Sequence, residues 1–506
     1  MARYVMANRR AGKFLDEEKR ASRAAIAASF EGLFAASVDV IADRNPADDL
    51  ARRVVIFDAD PEEVPAKAGT LPADVLVEPE ILHFPQAQTL ERRPGARVPG
   101  QRSSTVLDVP VTTPLTAFTA VVTGSGAALF GAEVILFLRD QLNQQRNITQ
   151  IADRSGTVSF ALPAGLQPLA LLILPAGGHW TRVIRNPASG GVHDCLPLDV
   201  VGPLDWWHGQ LGIIQFDPAR GTGIKVGVID TGVGPHGCLG HVFDVGAFIN
   251  GSHDPTGGAD VDSHGSHVCG TIGARPVQSA TQRAGIAPGV TLFSARVFPP
   301  NEGANQGDIA NAIDELSRGQ GVDLINMSLG ADSPSTIEQD AIQDALQRGT
   351  LCVCASGNDS GPVSFPGAFA EVIAVSAVGL RGTTPSGTLS ATRLPTDPAK
   401  LGAGDLYLAE FSNFGTQVDC AAPGVGIIAT VPERFDLSEP YAVMDGTSMA
   451  SPAACGALAA LLATSPAYLA LSGSARAEAA RAILRNNVQS IGLAAVFQGG
   501  GMPRIP

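Results

Sequence analysis

The chain has 506 residues, too many for one ordinary hydrophobic core, so two or three domains are expected. Apolar residues make up 45% of it, enough for real cores, and 49 acidic against 35 basic residues give a formal net charge of -14, which argues against nucleic acid as the main partner. Residues 1–20, MARYVMANRRAGKFLDEEKR, mix both charges and contain no apolar run of signal-peptide length. No run elsewhere reaches the roughly 18 apolar residues that span a bilayer. The expectation is therefore no membrane segment and a cytoplasmic location, with non-classical export as the other route. Seven cysteines (Cys195, Cys238, Cys269, Cys352, Cys354, Cys420, Cys455) form an odd set without paired spacing, which points to a reducing compartment and to thiols acting as small buried hydrophobes.

In chain order, residues 1–84 read as a small α/β unit. Strands are expected at Tyr4–Asn8, Val38–Ile41, Val54–Phe57 and Val75–Glu78, with helices at Asp16–Ala35 and Pro61–Lys67. That is a βαββαβ order, the ferredoxin-like arrangement. Residues 85–107, PQAQTLERRPGARVPGQRSSTVL, lack periodicity and are rich in Pro, Arg, Gln and Ser, so they read as an exposed linker. Residues 108–200 carry short β-type runs at Phe118–Thr123, Glu133–Leu138, Thr157–Leu162 and Ala170–Leu174 between Gly, Asp and Ser turns, a small β-sandwich pattern. GAALFGAEVILFL and DRSGTVSFALPAG loosely resemble the carboxypeptidase regulatory-type sandwich modules.

Residues 206–506 alternate short apolar runs with amphipathic stretches, as a parallel sheet flanked by helices requires. Strands are expected at Lys225–Ile229, Thr291–Val297, Asp323–Met327, Leu351–Ala355 and Val372–Val375. Helices are expected at Ile309–Arg318, Ile337–Arg348 and Ser448–Ala463, and residues 381–407 read as an inserted surface loop.

Three stretches carry chemistry. GTSMASP, Gly446–Pro452, sets Ser448 among small residues at a helix start, where its Oγ is uncovered and a backbone N–H can face an oxyanion. GIKVGVIDTGV ends a strand on Asp230, a position suited to a carboxylate that holds an imidazole. D-T-G also occurs in aspartic proteases, where two such aspartates share a proton, but this chain has one. DSHGSHVCGT offers His264 as a general base, while His264, His267 and Cys269 could also be read as zinc ligands without a fourth.

The order Asp230, His264, Ser448, with VDLINMSLG at Val322–Gly330 and CASGNDSG at Cys354–Gly361, resembles the subtilases, whose triad runs Asp, His, Ser. The resemblance covers residues 206–506 and includes SFPGAFAEVIAVSAV and FSNFGTQVDCAAPGVGIIAT. It implies a serine endopeptidase in which Ser448 attacks the peptide carbonyl, His264 takes its proton and Asp230 orients the imidazole. Asn358 would donate to the oxyanion, Ser328, Leu329 and Gly330 would pair with an extended polypeptide substrate, and Asp262 would face the cleft. Residues 1–84 would be the inhibitory propeptide, with LVEPEILHFP leading into the cleft and a self-cut between His83 and Leu107.

Two positions depart from the family: Ala453 stands where a histidine is usual, and GPHGCLGH follows Asp230 in place of an acid-containing loop. RPVQSATQRAG, Arg275–Gly285, occupies the place of the usual calcium loop with almost no hard oxygen side chains, so no cofactor is expected and calcium is doubtful there. A catalytically silent peptide-binding protein on the same fold is the rival reading, against which the intact triad and Asn358 weigh.

Overall fold

The computed structural model describes residues 1–10, 38–44, 52–86, 117–142, 144–162, 165–199, 201–278, 281–433 and 440–506. The helix expected at Asp16–Ala35 and nearly all of the linker 85–107 lie outside these residues. Four strands, β1 (Ala2–Asn8), β2 (Asp39–Arg44), β3 (Val54–Ala59) and β4 (Val75–Pro79), form an antiparallel sheet in the order β2-β3-β1-β4, with a short helix at Val64–Ala68. This is the strand order of a ferredoxin-like sheet. Both central strands alternate. Tyr4, Met6, Val55 and Phe57 fill the unit's own core, whereas Val5, Ala7, Val54 and Ile56 face the other way into a cluster that includes Ile309, Ile313 and Leu316 of the C-terminal unit. A fifth strand, β5 (Leu82–Pro85), leaves this sheet and runs into the cleft described below.

Residues 117–195 form two packed sheets. One orders Thr157–Ala161, Ala117–Gly124 and Gly191–Cys195, and the other orders Arg182–Arg185, Gln167–Leu174, Glu133–Arg139 and Gln145–Ile151. Phe118, Val122, Leu136, Leu171 and Phe160 meet between them. Residues Gln145–Ile151, Arg182–Arg185 and Gly191–Cys195 were not expected as strands, because their polar, largely exposed side chains carry no apolar alternation.

The C-terminal unit is built on a sheet whose strands run in the order Ser252–Asp254, Phe243–Ile249, Thr291–Arg296, Lys225–Asp230, Leu324–Met327, Leu351–Ala355, Ile373–Leu380 and Leu406–Leu408, with Val418–Pro423 also pairing Ile373–Leu380. The interior pairs are parallel, and Ser252–Asp254 and Leu406–Leu408 add antiparallel edges. Flanking helices include α1 (His264–Gly273), α2 (Gln306–Asp314), α3 (Thr336–Arg348) and α4 (Thr447–Ala463). α4 is apolar nearly all round, so it is buried on every face, as such a helix must be.

The expected surface loop at residues 381–407 is structured. It contains 3-10 turns at Ser390–Arg393 and Pro398–Lys400 and the strand Leu406–Leu408. Leu389 is fully buried against Ile135, Phe137, Leu172 and Leu174 of the β-sandwich, and Arg393 reaches Asp445 at 3.3 Å, just ahead of Ser448. Isolated leucines spaced by Gly, Ser, Thr and Pro have no helical or strand period, so their burial was invisible before the two units met.

Candidate active site

Asp230 ends its strand fully buried, and α1 begins with His264. The Nδ1 of His264 lies 2.6 Å from Asp230 Oδ1, which also accepts the Thr231 N–H at 2.7 Å. That contact fixes the tautomer, leaving Nε2 of His264 buried without a partner among the described residues. Burial alone would lower the His264 pKa; the charge and hydrogen bond of Asp230, with smaller contributions from Asp262 and Asp260, outweigh it and raise the value.

The start of α1 is held by Asp260. One carboxylate oxygen accepts the Ser263 N–H at 2.9 Å and the Thr231 hydroxyl at 2.8 Å, and the other accepts the Ser266 N–H at 2.9 Å and hydroxyl at 2.5 Å. Thr231 Oγ1 in turn accepts the Gly265 N–H at 2.8 Å. Asp260 is therefore a positioning residue that the sequence pattern did not single out. In the sequence it is only an acid four residues before His264, outside the N-cap position where an Asp signals a helix start. Asp262, by contrast, is exposed and lines a cavity of about 200 Å³ with Glu133 and His179 of the β-sandwich.

Ser448 lies in the first turn of α4. Pro452 cannot donate a backbone hydrogen bond to the Ser448 carbonyl, and the Ser328 hydroxyl does so instead at 2.9 Å. The Ser448 hydroxyl donates to the Ser328 carbonyl at 2.9 Å. Asn358 stands beyond the strand Leu351–Ala355, and its Oδ1 accepts both the N–H and the hydroxyl of Thr447, each at 2.9 Å. Those two bonds fix the amide plane and leave the NH2 end to donate.

β5 lies as the middle strand between Ala304–Asn305 and Leu329–Gly330, antiparallel to both. Leu329 faces Pro85 and Gly330 faces Phe84 in register, and the Gln86 N–H donates to the Ser328 carbonyl at 3.0 Å. The Gln86 carbonyl accepts the Ser448 N–H at 2.9 Å. Ser328, Leu329 and Gly330, expected to pair with an extended peptide, thus pair with the chain's own residues 84–86. Gly303 is required on the opposite edge: a Cβ there would sit 2.9 Å from the Leu82 Cβ and 3.0 Å from the His83 oxygen.

The profile of the Subtilase family matches residues 221–502, more than half of the chain. The chain belongs to the subtilase family. It is 37% identical over 255 residues to a thermophilic serine proteinase of Bacillus sp. (strain AK1), a match covering 49% of this chain and 54% of that protein. It is 31% identical over 249 residues to Subtilisin Savinase of Lederbergia lenta, covering 49% of this chain and 79% of that one. The minor extracellular protease Epr of Bacillus subtilis (strain 168) is 32% identical over 251 residues, covering 49% of this chain and 33% of its own. The chain thus spans about half the length of the Bacillus serine proteinase it matches.

The comparison corrects the expected cytoplasmic location, because Epr, which this chain matches over its subtilase region, is an extracellular protease by name. The cysteine argument falls with it. All seven thiols are buried and free, and burial raises the pKa of each, so they avoid the reactive thiolate form whatever the compartment. No described helix is long and apolar enough to cross a membrane.

The other ligand-like histidine of this subtilase is structural. His267 Nε2 lies 3.0 Å from the Ile427 carbonyl and 3.2 Å from that of Ala442, and burial lowers its pKa to about 3. In the loop expected to lack calcium ligands, the Arg275 guanidinium donates to the carbonyls of Pro288 and Val290 at 2.6 and 2.8 Å. Gln282 Oε1 accepts the N–H groups of Val277 and Gln278 at 2.7 and 2.8 Å. Among the described residues of that loop, the Arg275 cation and the Gln282 amide oxygen are thus both committed to backbone groups.

Proposed function

We propose that this subtilase is a serine endopeptidase made as a latent precursor, with Asp230, His264 and Ser448 as its triad. The observation that carries the reading is the Gln86 carbonyl, which accepts the Ser448 N–H at 2.9 Å while residues 82–85 pair with both cleft edges. A substrate carbonyl needs that placement beside an oxyanion donor. Ser448 Oγ, turned from the Ser328 carbonyl, attacks a peptide carbonyl; His264 Nε2 takes its proton and later gives it to the leaving amine. Asp230, 2.6 Å from Nδ1, steadies the imidazolium between those events. The developing oxyanion is met by the Ser448 N–H and the Asn358 amide.

Residues 1–84 act as the inhibitory propeptide, and residues 117–195 as a β-sandwich module carried with the catalytic unit. The self-cut falls between Gln86 and Ala87. That bond lies inside the span expected from the sequence, at the only point where the described tail meets Ser448. The polypeptide substrates are taken outside the cell, a setting that the buried, unreactive thiols do not oppose.

A fluorophosphonate probe tests the assignment. Ser448 should be labelled only in chains that carry a new N-terminus at Ala87; labelling of the intact chain at the same rate would remove the latency, and no labelling of either would remove the enzyme. The catalytic unit works without a metal at residues 275–285, so EDTA should leave the cleavage rate and melting temperature unchanged.

A further inference from the structure

Along β5 the side chains alternate: Leu82 and Phe84 are 41% and 38% exposed, whereas His83 is fully buried. His83 sits opposite Ala304 and points under the cleft edge, where its Nε2 lies 3.0 Å from Glu338 Oε2. Glu338 is also fully buried. The remaining atoms of the pair, His83 Nδ1 and Glu338 Oε1, have no hydrogen-bond partner among the described residues. Each side chain is thus buried with the other as its polar partner.

The sequence around Glu338 suggests a different use for it. Ser335-Thr-Ile-Glu338 has the spacing of a capping box, in which the glutamate folds back onto the N-cap backbone. Only half of that box forms: the Ser335 hydroxyl accepts the Glu338 N–H at 3.2 Å, but the carboxylate turns to His83 instead. Glu78 of the N-terminal unit takes part of the capping role, accepting the Thr336 N–H and the Ser335 hydroxyl at 2.7 Å each. The side chain of Glu338 is therefore committed to the pocket rather than to its own helix.

We propose that Glu338 is the floor of a charged specificity pocket that selects a cationic side chain, histidine foremost, at the fourth residue back from the scissile bond. The inference rests on the endopeptidase reading above, in which Gln86 precedes the cut and His83 is the fourth residue back. Once residues 1–86 leave, the pocket holds a carboxylate that a substrate must cover. A protonated imidazole or an amine covers it with a charge-assisted hydrogen bond. An aliphatic side chain strips its water and returns nothing, and an aspartate meets it with like charge. The pocket is thus selective by rejection as well as by attraction.

The test uses enzyme that has processed itself from the full-length chain and peptides of the form X-Phe-Pro-Gln before the scissile bond, with X as His, Lys, Ala, Leu or Asp. At about pH 6, where histidine with its ordinary pKa of about 6.5 is mostly protonated, kcat/KM for X = His should exceed that for Leu by about tenfold and that for Asp by more. Glu338→Gln, which keeps the shape and removes the charge, should bring all these ratios within about twofold, mainly by speeding the Leu and Asp peptides that the carboxylate rejects. Wild-type ratios near unity, or a preference that survives Glu338→Gln, overturn the pocket while leaving the enzyme intact. Failure to cut any peptide, with Ser448 unlabelled by fluorophosphonate, overturns the endopeptidase reading and the pocket with it.

Discussion

The two units that flank the catalytic core hold it by different chemistry. The N-terminal sheet lays an apolar face on α2 and α3 and rings it with charge: Arg10 and Arg52 both reach Asp314, Arg52 also reaches Asp344, and Arg9 meets Asp340 at 2.8 Å. The β-sandwich instead shares apolar groups with the core. Trp180 joins the central cluster, Leu389 closes the outer face of the second sheet, and Arg283 clamps the connector through carbonyls of Asp199, Gly202 and Leu204 at 2.7 to 3.1 Å. Charged partners regain water on separation, whereas exposed apolar surface does not, so the first contact suits a unit that leaves and the second a unit that stays.

The largest expected effect is at Ser448. Ser448→Ala should abolish the cut at Gln86–Ala87, so that the charged contact is never tested by release; denaturing gels of purified protein check this, and processing at the wild-type rate would make the cut the work of another protease. Next comes the charged contact itself. Arg52→Ala leaves Asp314 and Asp344 buried with less compensation, a change that costs about 3 to 5 kcal/mol when one member of a buried pair is removed. Arg10 and Arg348 still reach these two carboxylates, which favours the low end. About 3 kcal/mol is roughly a hundredfold in the inhibition constant of residues 1–86 added in trans, with the melting temperature of the freed catalytic unit unchanged. Leu389→Ala should behave in the opposite way, lowering the stability of the whole chain by about 2 kcal/mol or more through a cavity and leaving inhibition untouched. If Leu389→Ala weakened inhibition, or Arg52→Ala did not, the division of labour between the two contacts would fail.

Legibility followed the same line. The residues proposed as the triad, Asn358 and the paired cleft strand lie in contiguous motifs, because the proposed chemistry needs particular neighbours within a few residues: small residues around Ser448, a strand end for Asp230, a helix start for His264. The parallel sheet was legible for the same local reason, as runs such as Leu351–Ala355 are apolar at every position and buried at every position. What escaped were features created by contact between distant segments. Leu389 has no local period, Glu338 looks like half of a capping box, and Asp260 looked like one more acid in an acidic loop until its four hydrogen bonds to the start of α1 and to Thr231 were in place. Location was misread because the charge and apolar pattern of residues 1–20 and the odd cysteine count were taken as evidence of compartment, which neither encodes.

Asp262 gives the smallest expected effect and sharpens the comparison most finely, since it lies where the β-sandwich meets the cleft. It is exposed, yet its charge is among those that raise the His264 pKa, after that of Asp230. A raised pKa keeps the imidazole protonated, and useless as a base, up to a higher pH. Asp262→Asn should therefore move the acid limb of the kcat/KM profile to lower pH. The same charge favours Lys or Arg at the residue just before the one at the cut, but water and salt at an exposed rim limit the gain to about 1 kcal/mol, roughly fivefold. Glu133 of the β-sandwich lines the same cavity and should retain part of that preference when Asp262 is neutralised. The ordering to measure, with a matched pair of Lys and Ala peptides from pH 5 to 9, is wild type, then Asp262→Asn, then Asp262→Asn with Glu133→Gln. A preference that falls in two steps would give the retained module a share in substrate choice. A limb that moves in Asp262→Asn alone, with no further loss on changing Glu133, would confine the module to holding the fold together.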